Sequence, residues 1–221
     1  MTTIVLEMTA NHNEDEGFAT MDDSTRELYE RLAERYASGD VPWDDPLPPP
    51  EVVNHVAGLH PGRALDLGCG YGRASIYLAG LGWKVDGIDF IPDAIAEAAR
   101  RAKAVGVKAR FHISAATDLD YLAGPYDFAL DVGCCHNMNG EDLVRYRDQL
   151  CRLVRPDGDF MLFARLREDE GDQDDGPGGI SREELEQVFA SCFKLTRMER
   201  GSTEVPGQAS WPSAWFWYTR R

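Results

Sequence analysis

Three glycines that follow a short apolar run carry the clearest chemistry in this sequence. Residues 65–73 read Leu-Asp-Leu-Gly-Cys-Gly-Tyr-Gly-Arg, so Gly68, Gly70 and Gly72 come directly after a strand-like segment. Glycine permits a sharp turn and leaves room for a ligand beside the backbone, because it has no side chain to fill that space. Asp89 ends the next strand-like run, nineteen residues after Gly70, where an acidic side chain can accept hydrogen bonds from ribose hydroxyls. This spacing predicts an adenosine-containing ligand.

The acidic residue at the entrance to the turn, Asp66, bears on which adenosine ligand binds. A carboxylate repels a pyrophosphate, which binds to the free amides of a helix N-terminus. The same carboxylate suits a cofactor with positive charge, such as the ammonium and sulfonium groups of S-adenosylmethionine. A NAD(P)-dependent oxidoreductase is the main alternative, and a non-catalytic protein that binds S-adenosylmethionine is the second.

The Asp-x-Gly-x-Gly-x-Gly pattern resembles motif I of the class I S-adenosylmethionine-dependent methyltransferases. Asp66, Gly68, Gly70 and Gly72 match that motif residue by residue, and Asp89 matches the ribose-binding acid of the family. The resemblance covers roughly residues 36 to 219. It implies an α/β fold, a three-layer αβα sandwich whose seven-stranded, mostly parallel sheet ends in an antiparallel C-terminal hairpin. It also implies in-line methyl transfer to an O, N or S atom of a small-molecule acceptor.

A second resemblance lies near the N-terminus, where Tyr36 to Asp44 read Tyr-x-x-Gly-x-x-Pro-Trp-Asp. This stretch is similar to the N-terminal segment of the thiopurine, tellurite-resistance and halide or thiol methyltransferases. In that group an N-terminal tryptophan packs against the cofactor, which implies a cofactor contact for Trp43, with Tyr36 as a weaker candidate. An aromatic face attracts a sulfonium cation, and the rings exclude water. The alternative is that Trp43 is a hydrophobic plug under the sheet.

Other candidate cofactor contacts follow the ends of the second, third and fourth strands. Phe90 could stack on the adenine or belong to the core. Members of the family commonly bind the adenine through an acidic side chain after the third strand, where this chain has Ala115. Asp118 is the remaining candidate for that contact, and helix capping is its alternative role. The predicted cofactor-binding residues are Tyr36, Trp43, Asp66, Gly68, Cys69, Gly70, Asp89, Phe90, Ala116, Thr117, Asp118, Asp131 and Val132.

The fourth strand ends in the sequence Asp-Val-Gly-Cys-Cys-His at residues 131–136, where the transferred methyl group should point. This Asp-x-Gly-Cys-x-His pattern resembles the same small-molecule group. His136 is the candidate general base, because a pKa near neutrality suits proton transfer, and a structural histidine is the alternative. Asp131 is expected to organise the turn rather than react. Cys134 and Cys135 are expected to be small buried side chains rather than nucleophiles.

Composition limits the possible partners of the chain. Its 221 residues suit one domain. The net charge of −15 disfavours nucleic acid and membrane surfaces, so a small-molecule partner is expected. The five cysteines show no CxxC pair and no zinc spacing, which predicts free thiols and no metal site. With no signal peptide and no long apolar run, the sequence predicts a cytoplasmic protein, and it leaves the oligomeric state unknown.

The sequence predicts a single domain with a flexible segment (1–21), an N-terminal helical cap over the cofactor site (22–60) and a Rossmann-like core (61–221). Short apolar runs alternate with helical segments, which indicates βαβ units around a parallel sheet. Strands are predicted near 63–67, 84–88, 108–113, 126–132, 159–165, 193–198 and 214–219. Helices are predicted near 22–37, from 50, and near 72–80, 92–105, 141–154 and 181–191. The acidic stretch 168–176 is expected to be a solvated loop, with a substrate-side lid as the alternative.

Overall fold

Apolar runs and amphipathic segments alternate along the chain and become strands and helices in the computed structural model, which describes residues 23–167, 178–205 and 209–221. The helices are α1 (Asp23–Ser38), α2 (Pro50–Val56), α3 (Arg73–Gly80), α4 (Pro92–Ala104), α5 (Gly140–Leu153) and α6 (Arg182–Phe189). The strands are β1 (Arg63–Leu67), β2 (Lys84–Asp89), β3 (Ala109–Ile113), β4 (Tyr126–Val132), β5 (Val154–Arg165), β6 (Phe193–Thr203) and β7 (Trp211–Arg220). The segments 1–21 and 168–176, for which flexibility and a loop or lid were predicted, lie outside the described residues.

The strands form one seven-stranded sheet in the order β3-β2-β1-β4-β5-β7-β6. Strands β1 to β5 pair in parallel, and β7 pairs antiparallel with both β5 and β6. The predicted fold class is therefore confirmed, including the C-terminal hairpin. Because β2 and β4 flank β1, the strand order reverses at β1, and ligands of such sheets bind in the crevice beyond the carboxyl ends of the strands there.

Both faces of the sheet are covered, as the apolar strand sequences require. Successive strand residues point to opposite faces, so neighbours such as Phe160 and Met161 belong to different clusters. One cluster packs α5 and α6 against one face, and its members include Leu65, Tyr146, Phe160, Phe189 and Phe216. The other packs α2 and α3 against the opposite face, and its members include Val52, Leu78, Phe128, Met161 and Trp217. No helix among the described residues is both long and apolar enough to span a membrane.

Local signals place several helix ends correctly. Gly39 follows α1 with a φ of 74°, and its amide hydrogen-bonds the Tyr36 carbonyl at 3.3 Å. A residue without a side chain adopts this left-handed conformation at little cost, which stops the helix there. At the start of α6 the Ser181 hydroxyl accepts the amide of Glu184 at 3.1 Å, which is the N-cap bond typical of a Ser-x-x-Glu sequence.

The fifth strand differs from its prediction. It begins at Val154 rather than near residue 159, and it includes the Pro-Asp-Gly sequence at 156–158, which is more typical of a turn. Val154 pairs with Tyr126, but Asp159 already pairs with Phe128, so the register shifts between them. Such a bulge accommodates extra residues on one strand, which a period-two pattern does not reveal.

The cysteine prediction is wrong for two of the five residues. Cys151 of α5 and Cys192, just before β6, form a disulfide with a Cα–Cα distance of 6.0 Å. Cys69, Cys134 and Cys135 are free thiols, as predicted. The Arg220 guanidinium donates to the carbonyl oxygens of both Cys151 and Cys192, at 3.1 and 2.9 Å, and so holds the two backbones together as well. The pairing joins residues 41 apart, which no short motif predicts.

Candidate active site

The glycine turn connects β1 to α3 and has little room for side chains. Gly68, Gly70 and Gly72 have φ values of 65°, 53° and 77°, all in the left-handed region that favours glycine. A methyl group on Gly68 would lie 2.7 Å from the Cys134 Cβ. On Gly70 it would lie 2.9 Å from the Tyr36 hydroxyl. The turn therefore fits between the end of β4 and the N-terminal cap only because these positions lack side chains.

Asp89, the predicted ribose acid, ends β2 beside this turn. Its Oδ2 accepts the Gly70 amide at 2.8 Å, and its Oδ1 accepts the Ile91 amide at 3.0 Å. The side chain is buried, and burial raises the pKa of its carboxyl to about 6. Asp89 thus fixes the position of the glycine turn, a contact that the sequence did not predict. Its predicted bond to a ribose stays a prediction.

Asp66 occupies the floor of a cleft in front of the glycine turn. It lies in β1, and its Oδ2 accepts the hydroxyl of Ser75, in the first turn of α3, at 2.6 Å. Burial raises the pKa of its carboxyl to about 6. A buried carboxylate that accepts a hydrogen bond from a neutral hydroxyl still carries its charge and is well suited to meet a cation. Ser75 was not predicted, although a fully buried serine on an apolar helix face signals a polar partner.

The N-terminal cap brings aromatic rings to the same turn. The Trp43 indole N–H donates to the Tyr36 hydroxyl at 3.3 Å, and the two rings meet edge to face with their centroids 6.1 Å apart. Tyr36 is buried, whereas Trp43 is 40% exposed, which excludes the alternative of a plug under the sheet. Tyr71 packs on Tyr36 from the turn itself, at 5.0 Å, and donates to its carbonyl oxygen at 3.1 Å.

An ion pair that the sequence did not reveal ties the cap to the core. Asp44, next to Trp43, accepts two hydrogen bonds from the Arg101 guanidinium of α4, at 2.6 and 2.8 Å. The same guanidinium lies 4.5 Å from the centroid of the Tyr71 ring and also bonds Glu97 at 2.7 Å. The partners are 57 residues apart. No local pattern connects them.

The cleft enclosed by these groups has a volume of about 430 Å³, part of it open to solvent. Six predicted cofactor-binding residues line it. Its walls are formed by Val41, Trp43, Asp44, Asp66, Gly68, Cys69, Gly70, Tyr71, Arg73, Ala74 and Val132. Tyr36 and Asp89 support the walls through their hydrogen bonds to Trp43 and Gly70.

The remaining candidates of the adenine side lie apart from this cleft. Phe90 packs with Tyr36 and Ile91 and meets the Tyr29 ring at 5.6 Å. Ala116 belongs to the core cluster beneath α5, and Thr117 is half-buried. The Asp118 side chain is exposed and precedes no helix among the described residues, so helix capping does not explain it. The adenine contacts proposed for these residues stay predictions.

Asp131 holds the turn after β4. Its two carboxylate oxygens accept the Cys134 amide at 2.7 Å, the Cys135 amide at 3.0 Å and the Tyr146 hydroxyl at 2.6 Å. Burial raises the pKa of the carboxyl to about 6. These donors give Asp131 the turn-organising role that the sequence favoured, and they come from inside the protein rather than from the cleft.

His136 lies in the short 3₁₀ turn Cys135–Asn137 and is half-buried. Its Nδ1 accepts the backbone amide of Arg165, at the end of β5, at 3.3 Å. Burial and the Arg165 charge lower the pKa of the imidazole to about 4. The neutral ring therefore carries its proton on Nε2, which makes it a hydrogen-bond donor at that atom. A base at Nε2 would need the opposite tautomer, so the geometry argues against the predicted general-base role.

We looked for side chains that could ligate a metal ion in the described parts of the chain. No group of three or more His, Cys, Asp or Glu side chains there is arranged to hold a metal ion. Cys69 is buried and Cys134 is half-buried, both close to Asp66 and Asp89, and desolvation raises the pKa values of both thiols well above the usual range. Both thiols are therefore protonated and weak as nucleophiles.

Comparisons with known proteins agree with this geometry. The family model described as a methyltransferase domain matches residues 64–158. An uncharacterised methyltransferase of Schizosaccharomyces pombe is 32% identical over 102 residues, which cover 46% of this chain and 70% of that protein. The 2-heptyl-1-hydroxyquinolin-4(1H)-one methyltransferase of Mycobacteroides abscessus is 26% identical over 171 residues, 76% of this chain and 73% of the relative.

A solved structure extends the similarity over nearly the whole fold. The 1,6-didemethyltoxoflavin-N1-methyltransferase of Burkholderia thailandensis aligns with a TM-score of 0.71 over 95% of this chain and 91% of its own. At 24% identity it shows a shared fold. The matched family model spans the glycine turn, Asp89 and the turn after β4, whereas Val41, Trp43 and Asp44 of the cap, which also line the cleft, precede it. The chain belongs to the methyltransferase family.

Proposed function

We propose that the protein transfers a methyl group from S-adenosylmethionine to an O, N or S atom of a small-molecule acceptor. One observation favours S-adenosylmethionine over a dinucleotide as the bound cofactor. Asp66 is a buried carboxylate on the floor of the cleft, at the entrance to the glycine turn. Its negative charge favours the ammonium and sulfonium of the donor and repels the pyrophosphate that a dinucleotide would bring there.

The residues present fit such a cofactor. Gly68 and Gly70 have no Cβ atoms, so the turn leaves a space for the cofactor, here called the cradle, that a side chain at either position would fill. Asp89, which accepts the Gly70 amide, is the acceptor that we expect for the ribose hydroxyls. The Trp43 ring covers the cleft from the cap side, where an aromatic face attracts a cation. Each of these groups meets a different part of one nucleoside with a cationic tail.

Bound S-adenosylmethionine supplies a methyl carbon that its sulfonium already activates. The chain then has to bind both reactants, hold them in line and exclude water. Val132 lies where the cleft reaches the end of β4, the expected position of the reacting methyl. The buried Tyr36 and the Asp44 to Arg101 ion pair hold the cap over the cleft and restrict the access of water. The geometry does not require a protein base.

A heteroaromatic acceptor is the preferred substrate class. The M. abscessus relative is named for a hydroxyquinolinone substrate and aligns over most of both chains. The net charge of −15 supports a small molecule over nucleic acid, because phosphate backbones are repelled. We also propose that the protein acts in the cytoplasm, which localisation of a tagged full-length chain would test.

The activity is tested by incubating the purified protein with S-adenosylmethionine and a panel of thiol, halide and heteroaromatic acceptors. The panel includes 2-heptyl-1-hydroxyquinolin-4(1H)-one. Mass spectrometry should find a product heavier by one methylene, together with S-adenosylhomocysteine. Cofactor binding without transfer to any acceptor would favour the non-catalytic alternative. Oxidation of NADH by the protein would favour the oxidoreductase.

A further inference from the structure

Two side chains of opposite charge line the same cleft. Asp66 lies on its floor, and Arg73, the first residue of α3, also lines it. Burial raises the pKa of the Asp66 carboxyl to about 6, and the nearby Arg73 charge is among the groups that act against this rise. The Arg73 side chain is only 18% exposed, so solvent screens its charge less than that of a surface arginine. The cleft therefore presents a negative and a positive group close to each other.

An acid of the cap already pairs with Arg73. The Asp45 Oδ2 accepts one hydrogen bond from the Arg73 Nη1 at 3.3 Å. The Asp45 side chain is 73% exposed, and an ion pair with such an exposed group contributes little free energy. A guanidinium presents five N–H donors in a planar fork and binds a carboxylate best through two of them. Asp45 therefore shows that a carboxylate can reach this guanidinium, and a carboxylate that makes two bonds would displace it.

The amino-acid tail of S-adenosylmethionine carries the two matching charges. Its ammonium and its carboxylate are bonded to one carbon atom, so an ammonium placed beside Asp66 brings the carboxylate into the same part of the cleft. Asp66 and Asp44 both line the cleft and would repel that carboxylate. Among the described residues that line the cleft, Arg73 is the one cation. It is therefore the group that can offset this repulsion.

We infer that Arg73 binds the carboxylate of the cofactor tail, and that Asp45 takes the place of this carboxylate in the unliganded protein. This inference rests on the proposed function and adds a residue that selects the tail of the cofactor. Asp66 binds the ammonium end of the zwitterion, and Arg73 binds the carboxylate end. A nucleoside that lacks the carboxylate leaves Arg73 paired with Asp45 and gains no affinity from the guanidinium.

Three nucleosides with the same adenosine thioether test the inference by calorimetry at mildly alkaline pH, where Asp66 is ionised in wild type and variants. S-adenosylhomocysteine has both tail charges, S-adenosyl-3-thiopropylamine has only the ammonium, and 5′-methylthioadenosine has neither. The wild-type protein should bind S-adenosylhomocysteine roughly tenfold more tightly than the amine, the size of one charge-assisted hydrogen bond. In Arg73→Met this preference should disappear through weaker binding of S-adenosylhomocysteine. Retained binding of 5′-methylthioadenosine would show that the variant is folded.

A matched control and two further variants complete the test. Arg100→Met also removes one arginine, but Arg100 is exposed and pairs with Glu97 on its own helix, so the preference should persist. Arg73→Lys keeps the charge without the planar fork and should keep part of the preference. Asp45→Asn removes the competing carboxylate. Its affinity for S-adenosylhomocysteine should rise several-fold, and its affinity for 5′-methylthioadenosine should stay unchanged.

The failures can be told apart. Equal affinities of wild type for S-adenosylhomocysteine and the amine would overturn the inference and leave the proposed function standing. Persistence of the preference in Arg73→Met would overturn it as well. An affinity for S-adenosylhomocysteine that does not rise in Asp45→Asn would overturn the competition between Asp45 and the cofactor. A protein that binds none of the three nucleosides would contradict the proposed function first and this inference with it.

Discussion

Two buried carboxyls set the electrostatics of the cleft at the scale of single residues. Burial raises the pKa values of both Asp66 and Asp89 to about 6. In the unliganded protein both groups therefore take up protons close to neutral pH. A cofactor with ammonium and sulfonium groups favours the ionised forms, so its binding and the release of protons are coupled.

The affinity for S-adenosylmethionine should consequently fall as the pH is lowered through about 6. Because the folded pKa values are raised, the protons are bound below this pH and must leave when the cation binds. One released proton weakens binding by about tenfold per pH unit below the pKa. Calorimetry at several pH values, in buffers of different ionisation enthalpy, measures both the affinity and the protons released. A dissociation constant that is unchanged through this interval would contradict the assignment.

The charge of Asp89 should matter beyond the shape of its side chain. Asp89→Asn keeps the size of the side chain but removes the negative charge of the carboxylate. That carboxylate accepts the Gly70 amide and, as proposed, the ribose hydroxyls. We expect affinity for S-adenosylhomocysteine to fall by roughly 1.5–3 kcal/mol, as for hydrogen bonds to charged groups. Asp93→Asn alters an exposed acid four residues away and should leave the affinity unchanged. Equal affinities of the two variants would remove Asp89 from the cofactor site.

At the scale of elements, the segment between α1 and α2 acts as a cover tied to the core by two ion pairs, the bidentate tether of Asp44 to Arg101 and a contact of Asp45 with Arg73 at 3.3 Å. Trp43 lines the cleft, and its neighbour Asp44 is bound in bidentate fashion by Arg101 of α4. A bidentate guanidinium pair fixes orientation as well as distance. The position of the indole over the cleft therefore depends in part on Arg101, a residue that does not itself line the cleft.

Arg101→Met should loosen this cover and weaken cofactor binding by roughly tenfold, chiefly through faster dissociation. Arg100→Met is the matched control, because Arg100 also pairs with Glu97 but has no bond to Asp44. Stopped-flow tryptophan fluorescence with S-adenosylhomocysteine compares the two dissociation rates. Indistinguishable rates in the two variants would show that the tether does not hold the cover.

Local features of the sequence were sufficient to predict the sheet and the glycine turn, but they did not predict the contacts that join distant segments. The alternation of apolar runs and helices predicted all seven strands, and Asp66 and Trp43, which the sequence predicts as cofactor contacts, line the cleft. The bond of Asp44 to Arg101, the bond of Asp66 to Ser75 and the disulfide between Cys151 and Cys192 were not predicted. Each depends on the packing of α3, α4 or β6 against another element, and periodicity within one element contains no information about it.

At the scale of the whole molecule, the disulfide connects α5 to the C-terminal hairpin. It closes a loop of 41 residues, for which the chain-entropy model gives about 4 kcal/mol of stabilisation. Arg220 bridges the same two carbonyl groups, so the reduced protein should keep its fold with lower stability.

Reduction should therefore lower the melting temperature of the wild-type protein but not that of Cys192→Ser. Thiol titration of the unfolded, unreduced wild-type protein should detect three thiols among the five cysteines. Five reactive thiols, or a melting temperature insensitive to dithiothreitol, would contradict the pairing.

The central claim concerns the ligand of the whole cleft, and one calorimetric experiment addresses it most directly. The purified protein is titrated in parallel with S-adenosylmethionine, S-adenosylhomocysteine and NADH. Asp66, the glycine turn and Asp89 together predict micromolar binding of the two sulfur nucleosides and no binding of NADH. Binding of NADH alone would contradict the account, because it would place a pyrophosphate beside the buried Asp66 carboxylate.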